Sequence, residues 1–342
     1  MQALHEPRHS GAEPGAATPS CDELRAACAW VAARSTLVRV LDDRIDTYAR
    51  TLSRPERPAG SPESSAGTAA DPATPAGRET AAAYWLTLDA INFGSGWFPT
   101  LRKHAEPTGY RTIAAGVKRR FVQAGRWPAA ALTELDAAEL AGWLGQDPGH
   151  ELMALMAASL RDLGANVRRL YGSSFAAVVD AAGGSALTLV ETLAEWRCFA
   201  DVSVYDGRRV PFLKRAQLAA ADLQRAGVAA LKDIDRLTMF ADNLVPHVLR
   251  LDGILWFDPE LVARIERGEL IEHGSPEEVE IRACAVHAVE LLAAAAPSSG
   301  TSAAQIGAAQ IGAAQIDQIL WNRGQEARYK AVPRHRSRST AY

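Results

Sequence analysis

The pattern of apolar and polar positions predicts a chain that is mainly α-helical. Alanine and leucine recur at three- and four-residue spacing in 129–143, 151–163 and 186–199. That spacing is the period of a helix with one buried face. Ser20, followed three residues later by Glu23, is typical of a helix start, because the two side chains can cap each other's backbone amides. Further helices are predicted at 81–93, 214–225, 242–251, 259–267 and 277–295.

One short segment has the alternation of β-strands instead. In 202–210, the sequence VSVY is followed by Asp206-Gly207 and then by RRV. An Asp-Gly pair between two alternating segments is a strong hairpin signal, because both positions of the turn require positive φ. The fold class predicted from the sequence is therefore mainly α, with one small β-hairpin.

Three stretches interrupt these patterns. Residues 1–19 are rich in Gly, Ala, Pro and His, and 53–78 is a Pro/Ser/Ala/Gly segment; we expect both to be disordered. Three copies of AAQI within 303–317 indicate a low-complexity spacer near 296–316. The remainder of 20–342 is expected to form a single domain.

Composition and charge exclude several classes of partner. Hydrophobic residues make up 48% of the chain, charged residues 23%, and the net charge is −3. This balance provides no broad positive field for a nucleic acid or an anionic membrane, so we expect neither as a partner. The four cysteines form no CxxC pair, and the histidines are scattered, which argues against a metal site. The N-terminus lacks the apolar core of a secretion signal, and a cytoplasmic protein is expected.

Candidate chemistry is concentrated in the second half of the chain. Lys214-Arg215 at a predicted helix start could hold a phosphate, although a solvated helix end explains the pair at least as well. Asp242 precedes a predicted helix, where the ordinary role of a carboxylate is an N-cap. The basic run 333–338 could be a mobile tail, but the nearby Trp321 makes a folded phosphate-binding role credible.

Several unusual sequence words, in a fixed order, carry a family resemblance. They are LDAINF at 88–93, VPFLKRAQ at 210–217, LTMFADNLVP at 237–246 and EVEIR at 278–282. In these the chain resembles the queuosine salvage family, the queuosine 5′-phosphate N-glycosylases. The resemblance implies a helical body similar to helix–hairpin–helix DNA glycosylases. It also implies hydrolysis of queuosine 5′-phosphate to queuine and ribose 5-phosphate, without a cofactor.

The resemblance assigns roles to individual residues. The essential aspartate of the family falls on Asp242, the family lysine on Lys214, and the pocket acid on Asp317. Phe240 is expected to contact the base, and Trp321 to stack on it. A carboxylate at Asp242 suits the positive charge that develops on the sugar, and Asp317 suits the two adjacent N–H donors of a guanine-type edge.

The remaining predicted contacts concern the phosphate and one departure from the family. Arg215 and the tail cations, with Lys214, are expected to form the clamp for the 5′-phosphate. The tail residues in that prediction are His335, Arg336 and Arg338. Asn322, which we also place in the substrate site, stands where many relatives carry a second aspartate.

Two alternatives remain open at this point. A protein that binds queuine or a nucleotide without turnover is consistent with Asn322 in place of an acid. A base-excision DNA glycosylase would share the chemistry, but it needs a basic face for a duplex, which a net charge of −3 does not supply.

Overall fold

The computed structural model describes residues 18–52, 71–103, 108–296 and 311–342. Within these ranges the chain is mainly helical, as predicted, with short 3₁₀ turns and two small sheets. The helices are α1 Cys21–Ala32, α2 Ile45–Ala49, α3 Pro75–Ala90, α4 Gly109–Ala124, α5 Ala129–Glu134, α6 Ala137–Leu144, α7 Glu151–Leu170, α8 Phe175–Asp180, α9 Ala186–Ala194, α10 Lys214–Arg225, α11 Val245–Leu251, α12 Pro259–Glu266, α13 Pro276–Ala295, α14 Ala313–Arg323 and α15 Ala327–Lys330. The strands are β1 Val38–Val40, β2 Val202–Tyr205, β3 Arg208–Pro211 and β4 Leu255–Phe257.

Two helices, α3 and α13, form the centre of the molecule. Residues 81–91 of α3 and its C-terminal turn are all buried, as are residues 278–286 of α13, so both helices are covered on every side. Helices α4, α7, α8 and α10 pack on α3, whereas α1, α2, α11, α14 and β1 pack on α13. No helix in the described ranges is long and apolar enough to cross a membrane.

Helix α3 begins inside the segment that the sequence predicted to be a disordered insertion. Pro75 is its first residue, and Thr74 Oγ1 accepts a hydrogen bond from the Gly77 amide at 3.1 Å. Arg78 then donates to the carbonyl of Val228 at 2.8 Å. The prediction for 53–78 is therefore wrong at its end, because a Thr cap followed by proline favours a helix start as much as a linker. Residues 53–70 lie outside the described ranges, as do residues 1–17.

Helix α14 likewise begins inside the predicted spacer. It starts at Ala313, and Ile316 from the last AAQI copy is fully buried. The spacer prediction for 296–316 is therefore wrong for 313–316, which form the first turn of α14. These residues are helical because they pack against neighbouring helices, which the composition of the repeat does not show. Residues 297–310 lie outside the described ranges.

The predicted hairpin is confirmed, and the structure adds a second sheet. β2 pairs with β3 in antiparallel register, with Tyr205 opposite Arg208, and the turn residues Asp206 and Gly207 have φ of 46° and 74°. β1 pairs with β4, with Val38 opposite Phe257. That second pair joins distant parts of the chain, which local alternation cannot reveal. The similarity to helix–hairpin–helix glycosylases stays a prediction.

Candidate active site

A cavity of about 700 Å³ lies among the end of α3, one face of α10, the loop before α11, α14 and the segment 329–336. This is the size of a small-molecule site. It brings together six of the ten residues that the sequence placed in the site. These are Lys214, Phe240, Asp242, Asp317, Trp321 and Arg336.

Asp242 lies in the loop before α11, two residues before the N-cap residue, Leu244. Its Oδ1 accepts hydrogen bonds from the amides of Leu244 at 2.8 Å and Val245 at 3.4 Å, which closes a turn that leads into the helix. The prediction that Asp242 is itself the N-cap is therefore wrong in position, because the helix starts at Val245 and not at 242. Both bonds use the same oxygen, and among the described residues no hydrogen bond occupies Oδ2. The half-buried carboxylate is thus rigidly held by one oxygen while the residue lines the cavity.

Lys214 is the first residue of α10 and is only 5% exposed. Its Nζ donates to the main-chain oxygen of Asn92 at 3.0 Å and to Asn92 Oδ1 at 3.2 Å. Burial lowers the pKa of the ammonium group, and the charges of Asp242 and Asp89 oppose that shift. The cavity therefore contains a cation that is fixed in place and electrostatically linked to Asp242. Asn92 was not among the predicted site residues, although it lies in the quoted word LDAINF.

Asp317 enters the cavity from α14 and is also buried. Its Oδ1 accepts a hydrogen bond from the Phe240 amide at 3.1 Å. Burial raises the pKa of this carboxyl well above its usual value, and the charge of Asp242 adds to the effect. A ligand edge with two N–H donors would favour the ionised form, because each donor hydrogen-bonds one carboxylate oxygen. The same bond ties the backbone of Phe240 to the acid.

Two aromatic rings provide apolar surface around Asp317. Phe240 is 7% exposed and Trp321 is half-buried, and both line the cavity. Trp321 lies four residues after Asp317 on α14, so the two side chains occupy the same face of that helix. Together the rings and the acid offer a planar heterocycle both stacking surface and a hydrogen-bonding partner.

The outer part of the cavity is mostly basic. The exposed or half-buried charged residues of its lining are two acids, Asp242 and Glu266, and seven cations: Lys103, Arg111, Arg225, Arg267, Lys330, Arg334 and Arg336. Arg336 Nη2 donates to the carbonyl of Gly268 at 3.0 Å, which fixes its guanidinium at the rim. Burial lowers the pKa of Arg334, and the charge of Asp242 opposes that shift. Arg334 belongs to the basic run that the sequence indicated, but it was not itself predicted as a contact.

Asp222 adds another carboxylate that the sequence did not indicate. It lies two turns after Lys214 on the same face of α10, lines the cavity and forms an ion pair with Arg225. Burial raises its pKa, as it does that of the neighbouring Asp89. Within the described ranges, no three or more His, Cys, Asp or Glu side chains are grouped so as to hold a metal ion.

Arg215 does not contribute to the cavity, and its predicted place in the phosphate clamp is corrected. It is 1% exposed, and its guanidinium donates to the carbonyls of Ala90 at 2.6 Å, Ala341 at 3.3 Å and Cys198. Successive residues on a helix point about 100° apart. Lys214 therefore faces the cavity, while Arg215 faces the core and ties three segments together.

Three other predicted contacts also lie outside the cavity lining. His335 is 2% exposed, and burial lowers its pKa to about 3, so it is a neutral core residue. Arg338 lies over the Trp97 ring at 5.7 Å, with half of its side chain exposed. Asn322 accepts a hydrogen bond from Gln318 at 3.3 Å. The tail thus contributes Arg334 and Arg336 to the cavity, because its side chains alternate between the cavity and the interior.

Comparisons with known proteins identify a family for the chain. The family described as queuosine salvage protein matches residues 72–342. A protein of Sphaerobacter thermophilus named queuosine 5′-phosphate N-glycosylase/hydrolase is 37% identical over 78% of this chain and 83% of its own length. The protein of the same name in Mus musculus is 30% identical over 78% of this chain and 84% of its own length. The one in Dictyostelium discoideum is 29% identical over 77% of this chain and 79% of its own length. The chain belongs to the queuosine salvage protein family.

Proposed function

We propose that the protein hydrolyses the N-glycosidic bond of queuosine 5′-phosphate, releasing queuine and ribose 5-phosphate. The observation that carries this proposal is the uneven distribution of charge and aromatic rings in the cavity. Asp317 and Phe240 are buried beside the half-buried Trp321, whereas most of the exposed or half-buried charged residues of the lining are cations. A nucleotide has the matching division into a flat base, a sugar and an anionic phosphate. The names of the relatives support the same reaction.

The base fits the part of the cavity formed by Asp317 and the two rings. Queuine is a 7-deazaguanine, and its pyrimidine edge presents two adjacent N–H donors to a carboxylate. The Phe240 amide holds one oxygen of Asp317, which orients the carboxyl group in the cavity. The rings of Phe240 and Trp321 supply stacking surface for the heterocycle.

Bond cleavage depends on Asp242 and Lys214. The bond between C1′ and the base nitrogen breaks with its electron pair going to the base, and positive charge develops on the sugar. The Asp242 carboxylate stabilises that charge and orients the water whose oxygen adds to C1′. The water proton ends on the departing base. The Lys214 ammonium, held by Asn92, contributes a fixed positive charge beside the leaving group and Asp242.

The phosphate fits the basic outer part of the cavity. Arg334 and Arg336 are the cations that the tail directs there, and guanidinium groups bind phosphate with paired hydrogen bonds. We therefore expect queuosine 5′-phosphate to be cleaved much faster than free queuosine. Equal rates on both compounds would contradict the assignment of these arginines.

The test is to incubate the purified protein with queuosine 5′-phosphate and to measure free queuine by mass spectrometry. Guanosine 5′-phosphate serves as a matched nucleotide, and the Asp242→Asn variant serves as the control for contaminating activity. Release of queuine by the wild type alone supports the proposal. Binding of queuine without release would indicate a binding protein, and release of a base from a DNA duplex would indicate a DNA glycosylase.

A further inference from the structure

Arg282 is a fully buried arginine that contacts both segments carrying the proposed catalytic residues. It lies on α13 outside the cavity lining and is 0% exposed. Its Nε donates to the carbonyl of Ala241, the residue before Asp242, at 3.0 Å. Its Nη2 donates to Asp201 Oδ2 at 2.7 Å. One guanidinium therefore holds the backbone at Asp242 and, through Asp201, a second segment.

Asp201 extends this contact to Lys214. The same Oδ2 accepts a hydrogen bond from the Lys214 amide at 3.1 Å, and the Asp201 carbonyl accepts from Phe212 at 2.9 Å. Between them, Leu213 has a φ of 54°, in the left-handed region that a leucine rarely adopts. The conformation of this strained residue determines how Lys214 is oriented at the start of α10. Its conformation has to be held by the surrounding contacts.

The guanidinium of Arg282 is also held by two rings and a second carboxylate. It lies between two rings, with its central carbon 3.9 Å from the Phe212 centroid and 4.5 Å from that of Tyr342. Nη1 contacts Glu278 Oε1 at 3.4 Å, and Glu278 in turn accepts from the Gly274 amide at 3.1 Å. A lysine cannot reproduce this arrangement, because its ammonium group lacks the planar fork that reaches several acceptors and stacks on rings.

We infer that Arg282 is a positioning residue that fixes the placement of Lys214 relative to Asp242. The inference rests on the proposed function, since it concerns the same two residues. Among the described residues, neither Lys214 nor Asp242 forms a hydrogen bond to the segment of the other. Gln217 joins the two segments at Thr238, four residues before Asp242. Arg282 and Asp201 hold them at Ala241 and Lys214, which are the positions next to the reacting groups. Displacement of either segment lowers the rate of the chemical step more than it weakens binding, because the base and the phosphate have their own partners.

The first experiment compares Arg282→Lys with wild type in steady-state kinetics on queuosine 5′-phosphate. We expect kcat to fall about 10²-fold, the size of effect that misplacement of a catalytic group by an ångström produces, with KM within about threefold of wild type. Arg25→Lys is the matched control. Arg25 forms an ion pair with Glu290 on the same helix, α13, at 3.2 Å. Its other partners, Asp22 and the carbonyl of Arg236, lie outside 212–217 and 240–246. Its kcat should stay near wild type.

Asp201→Asn provides a milder change should Arg282→Lys fold poorly. Asparagine keeps an oxygen that can accept from the Lys214 amide and from Arg282, but it removes the negative charge. We expect a folded protein whose kcat falls about tenfold, the consequence of replacing one charge-assisted hydrogen bond by a neutral one. Wild-type kcat in a folded Arg282→Lys or Asp201→Asn variant would overturn the inference.

Hydrogen exchange measures the positioning without relying on turnover. Peptides that cover 212–217 and 240–246 contain the amides of Lys214 and Leu244, which are bonded to Asp201 and Asp242. Both peptides should exchange faster in Arg282→Lys, and neither should change in Arg25→Lys. Unchanged exchange in both peptides would overturn the inference even for an inactive protein. Absence of queuine release by the wild type, in contrast, would contradict the proposed function alone.

Discussion

Replacement of Asp242 by asparagine separates two roles that the structure gives to one side chain. Asp242 Oδ1 closes the turn before α11 through two backbone amides, and an asparagine oxygen can accept the same bonds. Asparagine and aspartate both favour turns of this kind. The lost charge near the helix start is worth about 0.3–1 kcal/mol. For a chain of this size, we expect the melting temperature to fall by no more than about 3 °C.

Turnover should respond very differently. The carboxylate charge has no substitute in the neutral amide, and removal of one preorganised electrostatic group typically costs about 10²–10³-fold in rate, or about 2.7–4 kcal/mol. We therefore expect Asp242→Asn to lose queuine release by at least about 10²-fold while it still binds queuine. A small effect on folding together with a large effect on rate distinguishes a catalytic carboxylate from one that only stabilises the turn.

The assay needs wild type, Asp242→Asn and Asp242→Ala, each measured for melting, queuine binding and queuine release. Asp242→Ala is the matched control, because it removes the side-chain hydrogen bonds of the turn as well as the charge, at a cost of about 1 kcal/mol in stability. Its turnover should be as low as that of Asp242→Asn, at a lower melting temperature. If Asp242→Asn melts normally and retains turnover near wild type, the catalytic assignment is refuted, and Asp317 is the next carboxylate to examine.

Three further predictions follow from contacts of the described residues. Arg334→Ala should raise KM for queuosine 5′-phosphate by about tenfold or more, because a hydrogen bond to a charged group contributes about 1.5–3 kcal/mol. The affinity for free queuine, measured by calorimetry, should not change. Arg215→Met should lower the melting temperature, because three backbone carbonyls lose their donor, but it should leave KM unchanged. A raised KM with normal melting would show that Arg215 does bind the phosphate. Burial lowers the pKa of His247 to about 4 and that of His335 to about 3, below the value of about 6.5 in an unfolded chain. The unfolded state therefore binds protons more readily, so the melting temperature should fall as pH drops from 6.5 towards 4 and should be insensitive to these groups above pH 7; a profile that is flat down to pH 4 would contradict this.

Local signals were sufficient for several parts of the molecule. Asp206-Gly207 predicted the hairpin because the turn requires positive φ at both residues, and both have it. Asp242 was predicted as an N-cap from its place before an apolar helix, and its side chain does accept bonds from the amides at that helix start, although Leu244 is the N-cap residue. In each case the structure depends on residues close in sequence, which is the information that a sequence displays most directly.

Parts that depend on distant residues could not be predicted in this way. Lys214 and Arg215 are adjacent and both basic, yet one faces the cavity and the other is enclosed by carbonyls from Ala90, Cys198 and Ala341. Nothing local distinguishes them, because the difference depends on which helices pack against α10. The pairing of β1 with β4 was missed for the same reason.

The position of the cavity residues along the chain has a consequence for how the protein acquires its function. Asn92, Lys214, Asp242, Asp317 and Arg334 come from segments far apart in sequence and meet only in the folded chain. Contacts of such large sequence separation are slow to form, because the entropy of loop closure has to be overcome first. We therefore expect refolding to restore helical circular dichroism before it restores queuine binding. Partial unfolding that leaves most helices intact should be enough to abolish recognition of the substrate.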